Sequence, residues 1–324
     1  MQERLLAVCI GPESAGRQVL DFLVGRFTYR LREDWQRELA ADRFLLNNGG
    51  PVRPWTRLAI GDRLVYLLPE MPEPSVDRRL VILYEDADLL AVDKPGGLPC
   101  HPAGRYFRHT LWALLREEYG IAVPHLINRL DRETSGIVLV AKDKAAASHC
   151  YQQFAERKVE KRYQVAVEGD FPVVEMQAVG VLAADPTSVV RKKVRFYPAG
   201  PNGLVSGTEC STHFQRLAGG NNLSLLEARP LTGRCHQIRA TLCSLGYPVV
   251  GDKLYGVDEQ FFLRFLEDRL TTNDRQRLRL DRQALHAVSL RILHPRTNQQ
   301  LFFTAPLPVE FQQLLAGPRN LPAT

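Results

Sequence analysis

The chain has 324 residues, 45% of them apolar and 24% charged, with a net charge of +6. These values exclude a mainly disordered chain, and at roughly 150 residues per domain the length suggests about two domains. No apolar run approaches the ~20 residues of a spanning helix, and the N-terminus, with Glu3 and Arg4, lacks a secretory-signal pattern.

The six cysteines form no C-x-x-C pair, so they are read as reduced thiols of a cytoplasmic protein, and no Cys/His cluster argues for zinc. Of the basic residues, 34 are Arg and only 8 are Lys. Guanidinium groups bind phosphate bidentately and stack on bases, which favours a polyanionic partner. A biased genome composition explains the same excess equally well.

In chain order, Val19, Leu20, Leu23, Val24 and Phe27 have helical spacing, with Ser14 as cap. Trp35, Leu39 and Ala40 mark a second helix. Phe44-Leu45-Leu46 runs into the turn Asn47-Asn48-Gly49-Gly50, and residues 58–66 close with a turn and a strand. Residues 69–77 hold three prolines and three acids, a stiff linker. The expected division is therefore a small α/β domain over 1–72 and a larger domain over 73–324.

The larger segment opens with a hairpin, 80–84 and 89–92 around Glu85-Asp86-Ala87-Asp88. Thr110 caps a helix bearing Leu111, Leu114 and Leu115. Ile137–Val140 is a strand, 144–157 a helix, and Tyr163, Val165 and Val167 share one strand face. Ile238, Leu242 and Leu245 mark a helix ended by Gly246. Without βαβ regularity, the expected class is α+β, a mixed and mainly antiparallel central sheet flanked by helices.

The densest chemical signal is Asn128-Arg129-Leu130-Asp131-Arg132-Glu133-Thr134-Ser135-Gly136, a carboxylate on a loop before a strand. With it come Lys94-Pro95-Gly96-Gly97, Lys161-Arg162-Tyr163 and Leu231-Thr232-Gly233-Arg234-Cys235-His236-Gln237-Ile238-Arg239. In this order, R-L-D-x-x-T-S-G, K-P-x-G, K-x-Y and L-T-G-R-x-H-Q-I-R resemble the RluA-type family of pseudouridine synthases, over about residues 78–316. Leu285-His286-Ala287, His294-Pro295 and Ala305-Pro306-Leu307-Pro308 add to the match.

The resemblance implies an RNA uridine isomerase with the pseudouridine synthase fold, needing no cofactor and no metal. Ribosomal or transfer RNA is the implied substrate, and a monomer off the membrane is expected. It makes Asp131 the essential carboxylate, Tyr163 the aromatic against the uracil, and Arg234 the guanidinium that lowers the pKa of Asp131. Arg129 would fill the space left by the extruded base. Whether Asp131 attacks a carbon or removes a sugar proton stays open.

The first segment resembles the αL RNA-binding motif, in which Arg17, Arg26, Arg30, Arg32, Arg37 and Arg43 would meet RNA. A solvated charged helix face is the alternative.

Asn128 departs from the family's usual His, and an amide cannot shuttle a proton. Cys235 stands where a small hydroxyl residue is common. Ser135 lacks the glycines of a hydrolase elbow, and His236 and His286 read as packed histidines. Arg191-Lys192-Lys193 with Arg195 suits RNA phosphates or a solvated loop equally, and residues 258–282 read as a partly amphipathic helical element without chemical assignment. The competing classes are a catalytically inactive RNA-binding protein on the same scaffold and a carboxylate hydrolase, for which no convincing second acid is present.

Overall fold

The computed structural model describes residues 5–27, 31–47, 49–67, 73–200 and 205–316. The chain folds as two compact units, Met1–Pro72 and Glu73–Thr324.

The first unit contains β1 (Leu5–Cys9), α1 (Val19–Arg26), α2 (Arg32–Ala40), β2 (Phe44–Leu46), β3 (Gly50–Pro51) and β4 (Arg63–Leu67), with sheet order β1-β4-β2-β3. Val19, Leu23, Trp35, Leu39 and Phe44 fill its core, and Phe44 stacks on Tyr66 with centroids 4.6 Å apart. β1 was not expected. Leu5 and Leu6 are exposed, so backbone pairing with β4, rather than alternating burial, holds this edge strand. Ser14 does not cap α1. It ends a 3-10 turn at Pro12–Ser14, and carbonyls of Thr56 and Pro54 accept from Val19 N (2.9 Å) and Leu20 N (3.1 Å), tertiary partners that satisfy the helix start without a capping side chain.

The second unit is one large sheet with helices against it. Its elements are β5 (Val81–Glu85), β6 (Leu89–Lys94), α3 (Leu111–Glu117), β7 (His125–Leu126), β8 (Ser135–Ala141), α4 (Lys144–Ala155), β9 (Glu160–Glu168), β10 (Glu175–Ala184), β11 (Val194–Pro198), β12 (Thr208–Gly220), β13 (Leu223–Pro230), α5 (Gln237–Ser244), α6 (Gln260–Leu266), α7 (Thr272–Leu278), β14 (Leu285–Leu293), β15 (Gln300–Thr304) and α8 (Val309–Ala316). The order is β11-β10-β12-β13-β9-β14-β8-β6-β5, with β15 on β14 and β7 on β8. Among the described strands only β14 and β8 pair in parallel, giving the mixed, mainly antiparallel sheet of an α+β protein.

β8 is buried along its whole length, consistent with apolar residues on both faces. Thr110 and Asp143 cap α3 and α4 by accepting from Ala113 N and Ala146 N. Gly246, at φ +88°, follows α5 in the left-handed conformation that ends helices.

The β14–β8 seam positions the site. Gly136, at φ +109°, lies so close to Ala287 that a Cβ there would meet the Ala287 carbonyl oxygen at 2.4 Å, so only glycine permits this approach. Next to it, Ser135 Oγ lies 2.8 Å from His286 Nδ1, and Gln283 donates to Thr134 Oγ1. The residues after Asp131 thus stitch its loop to β14.

Candidate active site

Asp131 sits on the loop between β7 and β8, partly exposed to solvent. Buried Lys94, at the end of β6, donates its ammonium hydrogens to the carbonyls of Pro95 (2.8 Å), Leu98 (2.8 Å) and Arg132 (3.2 Å). Gly97 N also donates to Arg132 O at 2.8 Å. The Lys-Pro turn therefore clamps the residue that follows Asp131.

The guanidinium against the carboxylate is Arg239, not the expected Arg234. Arg239 Nη1 lies 2.7 Å from Asp131 Oδ2, while its Nε and Nη2 bind Asp252 Oδ2 (2.6 Å) and Oδ1 (2.9 Å). Asp252 is fully buried, and its Oδ1 also accepts from Leu254 N and Tyr255 N, each at 2.9 Å. Arg239 further lies over the Tyr255 ring, 4.9 Å from its centroid. Arg234 precedes the α5 N-cap, His236. Outside the helix, it is exposed and donates from Nε to Glu209 O at 3.2 Å. Arg239 belongs to the first turn of α5, all of whose residues from 237 to 242 are buried.

Burial opposes ionisation of Asp131, but the charge and hydrogen bond of Arg239, with His236 beside them, together hold the carboxyl below the usual carboxylate range. Asp252 is shifted the same way, against its own burial, by Arg239. His236 Nε2 stands 4.0 Å from Asp131 Oδ1, with Nδ1 3.0 Å from Tyr255 Oη. Burial, then Arg239, pushes its pKa down, so the ring is neutral at physiological pH. By sequence alone His236 reads as a packing residue, and its place beside the carboxylate is a finding of the structure.

Asp131 opens into a cavity of about 110 Å³ that also borders Tyr163, Arg129, Arg234, Lys161 and Ile238. The Tyr163 hydroxyl has no hydrogen-bond partner among the described residues, and burial followed by the Asp131 charge raises its pKa, so it stays protonated. Arg129 is exposed, with no ion-pair partner among the described residues. Gln237 braces the turn before α5, accepting from Thr232 Oγ1 (2.7 Å) and Arg234 N (3.0 Å) and donating to Ser211 O (3.0 Å) and Thr212 Oγ1 (2.9 Å).

This geometry accompanies clear sequence kinship. The family profile described as RNA pseudouridylate synthase matches residues 88–244. The ribosomal large subunit pseudouridine synthase D of Zymomonas mobilis is 34% identical over 76% of this chain and 74% of its own length. The chain belongs to the RNA pseudouridylate synthase family. Human pseudouridylate synthase RPUSD2 is 39% identical over 56% of this chain, which spans about a third (32%) of that relative's length. Among solved structures, human RNA pseudouridylate synthase domain containing 1 superposes with a TM-score of 0.55 at 28% identity, over 72% of this chain and 86% of the other.

Within this family frame, Asn128 has a local explanation. Its Nδ2 donates to Ile137 O (3.0 Å) and its Oδ1 accepts from Leu139 N (2.8 Å). Both ends of the amide are engaged by the backbone of β8. Cys235 is exposed and lies beside the site as a free thiol.

In the first unit, Arg32 pairs with Asp21 (3.0 Å), Arg37 with Asp34, and Arg43 with Glu38 (3.2 Å). Arg17 donates to the Asp21 carbonyl, and Arg26 lies over Phe22 and Phe27. These two have no carboxylate partner among the described residues. Arg30 lies outside the described residues.

Asp86, Asp88 and His294 offer ligand atoms close enough together for an ion. Those atoms are already engaged: Asp86 accepts from Tyr84 Oη, His294 Nε2 and two backbone amides, Asp88 accepts from Arg296, and His294 Nδ1 accepts from Arg296 N and Thr297 N. The group acts as a hydrogen-bonded knot joining the β5–β6 hairpin to the end of β14.

Proposed function

We propose that this protein isomerises uridine in RNA to pseudouridine, with Asp131 as the reacting carboxylate. In that reaction the bond from N1 to the sugar C1′ breaks, C5 bonds to C1′, C5 loses its proton and N1 gains one. An ionised carboxylate serves this chemistry by attacking C1′ or by removing a sugar proton, and Asp131 stays ionised because Arg239 is fixed on it. The observation that carries the reading is the relay Asp252–Arg239–Asp131, which ends at an open cavity beside Tyr163.

The target base enters that cavity after leaving its stack, an extrusion costing a few kcal/mol. Its face then lies against Tyr163, and the unpaired guanidinium of Arg129 occupies the vacated position. Arg234, at the cavity mouth, contacts substrate phosphate rather than Asp131. The first unit adds phosphate contacts through Arg17, Arg26 and Arg43, and through Arg32 and Arg37, whose exposed ion pairs are worth little and exchange readily.

Ribosomal or transfer RNA is the substrate in this reading. All six cysteines are free thiols, which suits a reducing cytoplasm, and no helix among the described residues is long and apolar enough to cross a membrane.

The test is base-resolution mapping of pseudouridine in cells carrying the wild-type protein, Asp131→Asn, or no gene. One or more sites should vanish in both latter strains, while the purified Asp131→Asn protein keeps its RNA affinity within about threefold, since a neutral isostere removes no phosphate contact. Normal modification by Asp131→Asn would remove the carboxylate from its role.

A further inference from the structure

Two segments left without a role, the basic stretch 191–193 and the helical element 258–282, converge on one cavity of about 520 Å³ on the other side of Asp131. Its volume lies within the ~300–1,000 Å³ typical of small-molecule sites. Asp131, Arg129 and Arg239 border both this cavity and the smaller one beside Tyr163. One wall is the stripe Phe262, Phe265 and Leu266 of α6, and Leu266 is 57% exposed. The Pro99–Gly104 stretch, which includes His101, also lines it.

The wall is preassembled. Glu259, at the N-cap of α6, accepts from Ser188 Oγ (2.7 Å) and Lys193 Nζ (2.9 Å), tethering the loop that carries Lys192. Arg132, the residue after Asp131, lies over the Phe265 ring with Lys253, each 5.0 Å from its centroid.

The charge distribution names the occupant. Lys192 is exposed over the Phe262 ring, 4.3 Å from its centroid, and has no carboxylate partner among the described residues; nor does Arg129. Glu133, the lining carboxylate other than Asp131, is already bound by Arg132 (2.7 Å) and Lys253 (2.9 Å). An apolar wall flanked by two unpaired cations suits a ligand with a flat aromatic part and an anionic part. Half-buried His101, whose pKa burial pushes down, adds a neutral hydrogen-bonding edge.

We propose that this cavity is a second nucleotide subsite, which receives the RNA residue adjoining the target uridine, its base against Phe262 and Leu266 and its phosphate on Lys192 and Arg129. The subsite rests on the isomerase reading and deepens it, because α6 then reads the neighbour of the modified base while the Tyr163 cavity holds the base itself.

The experiment uses the full-length protein and total RNA, labelled with 5-tritiated uridine, from cells lacking the gene. Isomerisation releases the C5 tritium to water. Leu266 and Lys192 are exposed, so Leu266→Gln and Lys192→Gln should keep the wild-type melting temperature. Each should raise KM about three- to tenfold through lost apolar and phosphate contact, with kcat nearly unchanged. Lys192→Gln should also lower the slope of log affinity against log salt by about one unit, and Lys192→Arg should restore it.

Wild-type KM and salt slope in both variants would overturn the subsite while leaving the isomerase intact, as would a fall in kcat at constant KM. If the wild-type protein releases no tritium, the isomerase reading fails. Filter binding of the same RNA then decides the subsite, weaker retention of both variants supporting it and equal retention overturning it.

Discussion

Arg239 holds Asp131 with one edge of its guanidinium and Asp252 with the other, so the carboxylate at the cavity is fixed by a second carboxylate that never meets solvent. A lysine has no such fork and makes a point contact. Arg239→Lys keeps the charge but loses the planar brace, and hydrogen bonds to charged groups are worth about 1.5–3 kcal/mol each. kcat should fall roughly 10- to 150-fold. The acid limb of the kcat profile should move toward the ordinary carboxylate value, because burial still opposes ionisation while the opposing charge is less well placed. An unmoved limb would mean that Arg239 does not set the ionisation of Asp131.

Asp252→Asn attacks the other end of the relay. Removing one member of a buried ion pair costs about 3–5 kcal/mol at neutral pH. The sign with pH follows from the depressed folded pKa of Asp252. The wild-type contribution is complete above the ~3.9 of an unfolded Asp and is lost as pH falls through the lower folded value. Urea melts of both proteins should therefore differ most near pH 7 and converge as the medium is acidified below pH 4. A gap constant across that range would show that the effect of the substitution is steric rather than electrostatic.

Lys94→Met separates loop geometry from direct chemistry. The ammonium touches three carbonyls and borders neither cavity, and its loss leaves the Arg132 carbonyl beside Asp131 held by Gly97 N alone. kcat should drop by about tenfold, more than KM rises, with a stability loss of about 1–3 kcal/mol for the orphaned acceptors. Burial pushes the Lys94 pKa down to about 8, below its unfolded ~10.4. Between these values the native state sheds a proton that the unfolded chain keeps, so the wild type gains stability as pH rises from 8 to 10. The Met variant should lack this slope, which urea titrations at several alkaline pH values would reveal.

The sequence announced the Asp131 loop, Tyr163 and α5 because each stands on a local pattern: a polar loop before an apolar run, an alternating strand, a helical spacing ended by Gly246. It misassigned the brace on Asp131 because Arg234 and Arg239 lie in one motif, and only the helix start at Gln237 decides which faces inward. The clue was available: an arginine within the buried stretch 237–242 demands a carboxylate partner, and Gly251-Asp252 follows shortly after. β1 escaped notice because its backbone ladder, not its side chains, fixes it. Asn128 looked like a lost histidine because its bonds to Ile137 and Leu139 depend on chain folding that no local pattern records.

Arg17 and Arg26 test whether the first unit meets RNA. Each phosphate neutralised on a duplex contributes about 0.9 to the slope of log affinity against log salt, and about 0.7 on a single strand. Arg17 contacts the Asp21 carbonyl and Arg26 lies over aromatic rings, so both charges remain available to a polyanion. The double variant Arg17→Ala, Arg26→Ala should lower the slope by roughly 1.4–1.8 if both charges meet phosphate. Affinity should weaken at low salt, and the difference from wild type should shrink as salt rises because fewer counterions are released on binding. kcat at saturating RNA should be unchanged, since neither residue borders the cavity beside Asp131. Titration of total RNA at four salt concentrations checks this. A slope equal to that of the wild type would assign these two arginines to a solvated surface and leave RNA capture to the second unit.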